Sequence, residues 1–81
     1  MSDATKLAGE AGSRDPTVGL RAVAALRRLL EQLEALQVTR ARELGWSWQA
    51  IADGLQVTRQ AVHKKHAKRL IDAGVELRRR K

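Results

Sequence analysis

The 81-residue chain has no cysteine, no tyrosine and no phenylalanine, and only one proline and one methionine. Without cysteine, no disulfide can brace a small fold and no thiolate can hold a metal. Trp46 and Trp48 are the only aromatic side chains, so the packing of large rings must concentrate around them. No apolar run reaches the 18 residues of a membrane-spanning helix, and MSDATKLAGEAG lacks the apolar centre of a secretory leader. The sequence thus predicts a cytoplasmic chain without a membrane partner. A chain of this length buries only about 60% of its unfolded surface, which makes a second chain the expected extra support.

Charge of one sign is what the chain does have. Sixteen Lys and Arg against nine Asp and Glu leave +7. Residues 57–81 hold nine of the bases and two of the acids, whereas residues 1–56 hold seven of each and cancel. The whole excess sits on the last 25 residues, which reads as a surface for a polyanion.

Residues 1–15 are small and polar with little periodicity and read as a disordered arm. Asp15-Pro16 is a helix start: Asp accepts orphan amide hydrogens, and Pro at the first position has none to satisfy. From Pro16 to Leu44, at 100° per residue, Val18, Ala22, Val23, Leu26, Leu29, Leu30, Leu33, Leu36, Ala41 and Leu44 fall within an arc of about 140°. Leu20 and Val38 point away from that arc and Arg40 points into it, so the helix either lets Arg40 snorkel or bends near Val38-Thr39. Unbroken, it is about 43 Å long. Gly45 ends it in a left-handed cap that folds Trp46 back on Ala41.

Ser47 then caps a short helix over 47–54, with Trp46 and Ile51 spaced as a hydrophobic staple. Thr58 caps a second over 58–73, with Val57 and Val62 repeating the staple. Gly74 stops it and Val75 folds onto Leu70, leaving 75–81 as a basic tail. The expected fold is all-α: a single helical domain over 16–74, formed by the long helix and a helix–turn–helix.

The stretch SWQAIADGLQVTRQAVHKK resembles the helix–turn–helix of DNA-binding proteins. It looks like the homeodomain-like type found in sigma-factor region 4, and most like small actinobacterial helix–turn–helix proteins, some of them nucleoid-associated. About 20 residues carry the motif. Ala52 is small where the two helices cross, and Ile51, Leu55, Val57 and Val62 are the apolar points that fix the crossing. Gln56 stands where such motifs usually carry glycine, and Lys65 where many carry an apolar residue; His66 and Leu70 then continue the seam from Val62. The resemblance implies that the helix opening at Thr58 enters the major groove.

On that helix Arg59, Gln60, His63, Lys64 and Ala67 share a face. Arg59 matches guanine O6 and N7, Gln60 matches adenine N6 and N7, and His63 and Lys64 are the other candidate base contacts. Lys65, Lys68 and Arg69 flank the face as candidate phosphate contacts, with Thr58 first a cap and then a phosphate contact. Trp48 is either core or an indole donor to phosphate. Arg78–Lys81 either thread a minor groove or extend into solvent. The bland alternative for the whole face is a solvated basic helix.

His63 and His66 are half a zinc site with nothing to complete it, so no metal is expected. Nor does any pattern imply a cofactor, a small-molecule ligand or catalysis: there is no phosphate-binding glycine loop, no activated nucleophile and no carboxylate pair on one helix face.

The wide apolar arc predicts a homodimer through Val23, Leu26, Leu29, Leu30 and Leu33. Gln37 and Arg40 break the heptad after two repeats and disfavour a parallel zipper. The leading reading is a sequence-preferring double-stranded DNA-binding protein of the nucleoid, either a regulator or a chromosome organiser. The runner-up is a protein-interaction module (an antitoxin, adaptor or sigma-like fragment) whose long apolar helix binds a different chain. A third reading is RNA binding by the arginine-rich end.

Overall fold

The computed structural model describes residues 3–74, all of whose regular elements are helices: α1 (Asp3–Ala11), α2 (Pro16–Glu43), α3 (Trp48–Leu55) and α4 (Arg59–Asp72). Val75 and the basic tail through Lys81 lie outside the described residues, and with them the expected Val75–Leu70 contact and the role of Arg78–Lys81. Residues 16–74 read as one body in the sequence. The structure has two compact units, Met1–Glu34 and Ala35–Lys81, with α2 contributing to both.

In the first unit, α1 occupies part of the segment that reads as a disordered arm. Asp3 lies in its first turn, where a negative charge favours the helix dipole. A nine-residue helix is marginal alone, so support must come from packing. Leu7 and Glu10 line a cleft with Val18, Ala22 and Ala25 of α2, and Ala22 is buried. One large apolar residue, Leu7, is too thin a signal to show as periodicity. α2 starts as its sequence dictates: Asp15 Oδ1 accepts from the Thr17 amide at 2.9 Å, and Pro16 opens the helix.

In the second unit the core consists of Val38, Trp48, Ile51, Ala52, Val62, Ala67 and Leu70, with Ala41 packed against it. Val38, which points away from the leucine arc, is 1% exposed, whereas Leu44 within the arc is 78% exposed. Leu33 and Leu36 are exposed as well. Over residues 35–43, α2 therefore turns Ala35, Val38, Thr39 and Arg42 inward, the side opposite the leucines. Arg40 is exposed and needs neither burial nor snorkelling, and α2 is helical through Val38-Thr39.

The reason is chemical. Thr39 and Arg42 count as polar in any periodicity, yet both are satisfied internally. The Thr39 hydroxyl donates to the Ala35 carbonyl at 2.8 Å, and Arg42 Nη1 donates to the Trp46 carbonyl at 2.7 Å. A polar group that brings its own partner can be buried at little cost.

Left-handed residues close both turns. At Gly45 (φ 91°) the Trp46 amide donates to Ala41 O and the Gly45 amide to Arg42 O, the paired bonds of a Schellman stop. Gln56 (φ 60°, ψ 42°) repeats the pattern, with Val57 N–H to Ala52 O and Gln56 N–H to Asp53 O. Ser47 Oγ and Thr58 Oγ1 cap the next helices by accepting from Ala50 N–H and Ala61 N–H. A side chain in the left-handed region costs about 1 kcal/mol that glycine avoids. Gln56→Gly is therefore expected to raise the unfolding free energy by up to about 1 kcal/mol, and thermal melting of the two proteins checks it.

Candidate nucleic-acid interface

The second helix of the pair, α4, has two chemically distinct sides. Val62, His66, Ala67 and Leu70 are buried. Arg59, Gln60, His63, Lys64, Lys65 and Lys68 are exposed. Gln60, Lys64 and Lys68 are spaced i, i+4, i+8 and so form one row along the helix. Thr58 at its head is exposed, and its hydroxyl is used as the cap.

Two of the residues picked from the sequence, Ala67 and Arg69, sit differently from expectation. Ala67, grouped with the outward face, is 9% exposed and belongs to the core. The i+8 step from Arg59 drifts by about 80° around a 3.6-residue helix, enough to carry Ala67 to the packed side. Trp48 is buried in the same core, the first of its two readings.

Arg69, grouped with the phosphate contacts, is spent on the fold. Its Nη1 donates to Thr39 Oγ1 at 2.7 Å, and its Nη2 reaches Ala35 O at 3.4 Å and His66 Nδ1 at 3.2 Å. A guanidinium has only donors, so His66 Nδ1 is the acceptor and the ring hydrogen belongs on Nε2. Arg69 thus joins α4 to the inward face of α2 through Thr39.

A second polar arrangement surrounds Trp48. The guanidinium carbon of Arg42 lies over the indole, 4.9 Å from its centroid, and the His63 ring meets the indole at 5.1 Å and 76°. Arg42 is only 8% exposed. Its guanidinium is held by the indole face and the Trp46 carbonyl. The two histidines face different partners, His63 the indole and His66 the Arg69 guanidinium. Among the described residues no group of three or more His, Asp or Glu could hold a metal ion.

Sequence reasoning missed Val38, Thr39 and Arg42. Arg42 carried a usable signal: it stands four residues before Trp46 at a helix end, within reach of the carbonyl exposed by the Gly45 turn. Thr39 carried none, because its partner Arg69 is thirty residues away.

Among the described residues no helix is long and apolar enough to cross a membrane. Along the first unit's part of α2, Leu30 is 64% exposed, Val23 and Leu33 are exposed, and Leu26 and Leu29 are half-buried. No family model, curated protein or solved structure matches the chain.

The Arg69–Thr39 bond is testable by itself. Arg69→Met is expected to cost about 1–2 kcal/mol of stability, since it removes a charge-assisted bond and strips His66 Nδ1 of a donor. In a double-mutant cycle with Thr39→Val by denaturant unfolding, coupling of at least about 0.5 kcal/mol is expected.

Proposed function

We propose that the chain binds double-stranded DNA with sequence preference, as a homodimer that presents α4 to the major groove. The observation that carries this reading is the two-sided character of α4. Gln60, Lys64 and Lys68 are displayed outward in a row, while Val62, His66 and Leu70 fix the opposite side to a packed core. A reading helix needs both properties, because base-edge contacts demand side chains held in register on a rigid support.

The resemblance of residues 47–66 to helix–turn–helix proteins supports the same reading, and so does the confinement of the net charge to residues 57–81. In this proposal Arg59, Gln60, His63 and Lys64 meet base edges, and Lys65, Lys68 and the amide end of the helix at Thr58 meet phosphates. Arg69 and Trp48 hold the helix in place instead. The protein acts as a regulator or chromosome organiser at the nucleoid, binding rather than catalysing.

The homodimer is supported by the exposed Val23, Leu30 and Leu33 of α2, large apolar side chains on one stripe. The same stripe favours a second reading, a module that binds a different protein through α2. The two part on whether purified protein alone self-associates and retards duplex DNA.

Selection of bound sites from random duplex DNA, repeated across salt, tests the main reading. Six to eight phosphates neutralised by two copies give a log affinity–log salt slope of about −5 to −7. A flat salt response with no enriched site would reject DNA binding. For the dimer, the double variant Leu26→Glu/Leu30→Glu is expected to sediment as a folded monomer. A variant that remains dimeric would remove this interface.

A further inference from the structure

We propose that Trp48 and Arg42 are positioning residues for His63, holding its ring as a pre-oriented reader of one base pair. This rests on the DNA-binding reading and assigns a specificity-determining device within it.

His63 lies in the second turn of α4, on the exposed part of the helix, yet it is not a loose surface side chain. Its ring packs against the Trp48 indole at 5.1 Å and 76°, the edge-to-face geometry that aromatic quadrupoles favour. Among the described residues the contact made by the His63 ring is the one with the Trp48 indole, and no side chain hydrogen-bonds its nitrogens. The neighbouring readers are built differently: Arg59, Gln60 and Lys64 are long and exposed, with rotamer freedom to lose on binding.

The indole is itself fixed. Trp48 is the first residue of α3, behind the Ser47 cap, and is buried. Arg42 covers it from α2 and is anchored in turn by the Trp46 carbonyl at 2.7 Å. The chain of contacts runs from that carbonyl to Arg42, to the indole and to the imidazole. Each partner is planar or rigid, so the orientation of the His63 ring is set by the core rather than by the ligand. A ring held this way forfeits little freedom on binding and offers one direction of donor or acceptor, which suits selection of one base pair over its alternatives.

The test combines nuclear magnetic resonance of the free protein with site selection on four variants: His63→Ala, Trp48→Leu, Trp48→Phe and His63→Ala/Trp48→Leu. In the free wild type, a nuclear Overhauser contact between the imidazole and indole protons is expected. On DNA, His63→Ala should flatten preference at one base pair by about tenfold, and Trp48→Leu should flatten it at the same position. The double variant should lose no more than His63→Ala, and Trp48→Phe, which keeps an aromatic ring, should retain the preference.

The proposal is overturned if the imidazole–indole contact is absent. It is equally overturned if folded Trp48→Leu keeps the full preference or weakens all sequences alike. Should Trp48→Leu not fold, loss of the preference in folded Trp48→Phe overturns it as well. An intact ring contact with no sequence preference in the wild type strikes the DNA-binding reading instead, which separates the two failures.

Discussion

The second unit depends on a buried arginine. Arg42 is a cation in the interior of a very small fold, and an uncompensated charge there would cost several kcal/mol. The groups that meet it include the Trp46 carbonyl and the face of Trp48. Both come from the short segment after α2, so satisfying the charge also fixes where that segment goes. The left-handed turn at Gly45 aims the Trp46 carbonyl back at α2, and Ser47 then restarts the helix with Trp48 at its head. The orientation of α3 follows from that choice. The packing of α4 follows in turn, through Ile51 and Ala52 against Val62 and Leu70.

Arg69 plays the complementary part from the other end. It bonds the Thr39 hydroxyl, which is also engaged with its own helix carbonyl, and it donates to buried His66. Two arginines therefore tie the inward face of α2 to the rest of the unit, one through α3 and one through α4. Neither bond is an ion pair. Both rely on the planar, many-donor guanidinium, a geometry that lysine does not supply. Both keep their charge, but their donors are committed to the fold rather than to a direct phosphate contact.

Local signals in the sequence were strong and long-range ones weak. The caps at Asp15, Ser47 and Thr58, the stop at Gly45 and the left-handed Gln56 each depend on residues within five positions of one another, and each is present. The inward face of α2 was not legible, because hydrophobic periodicity scores a stripe of leucines as core. Here Leu30, Leu33, Leu36 and Leu44 are exposed, while Val38 is buried together with Arg42 and beside a half-buried Thr39, both of which carry their own partners. α1 was missed for the opposite reason, having too few large apolar residues to register. In the candidate interface the exposure of Arg59, Gln60 and Lys64 and the burial of Ala67 follow from helix geometry, but the engagement of Arg69 depends on where α2 lies.

The separation of faces on α2 has a consequence for how such a chain can diverge. Over residues 35–43 the inward side holds Val38 in the core and Thr39 and Arg42 in hydrogen bonds, so replacing any of these three removes a packing or hydrogen-bond partner. The outward side, Leu36, Gln37 and Arg40, has no such obligations within its unit. Substitutions can accumulate on that side without reaching α4.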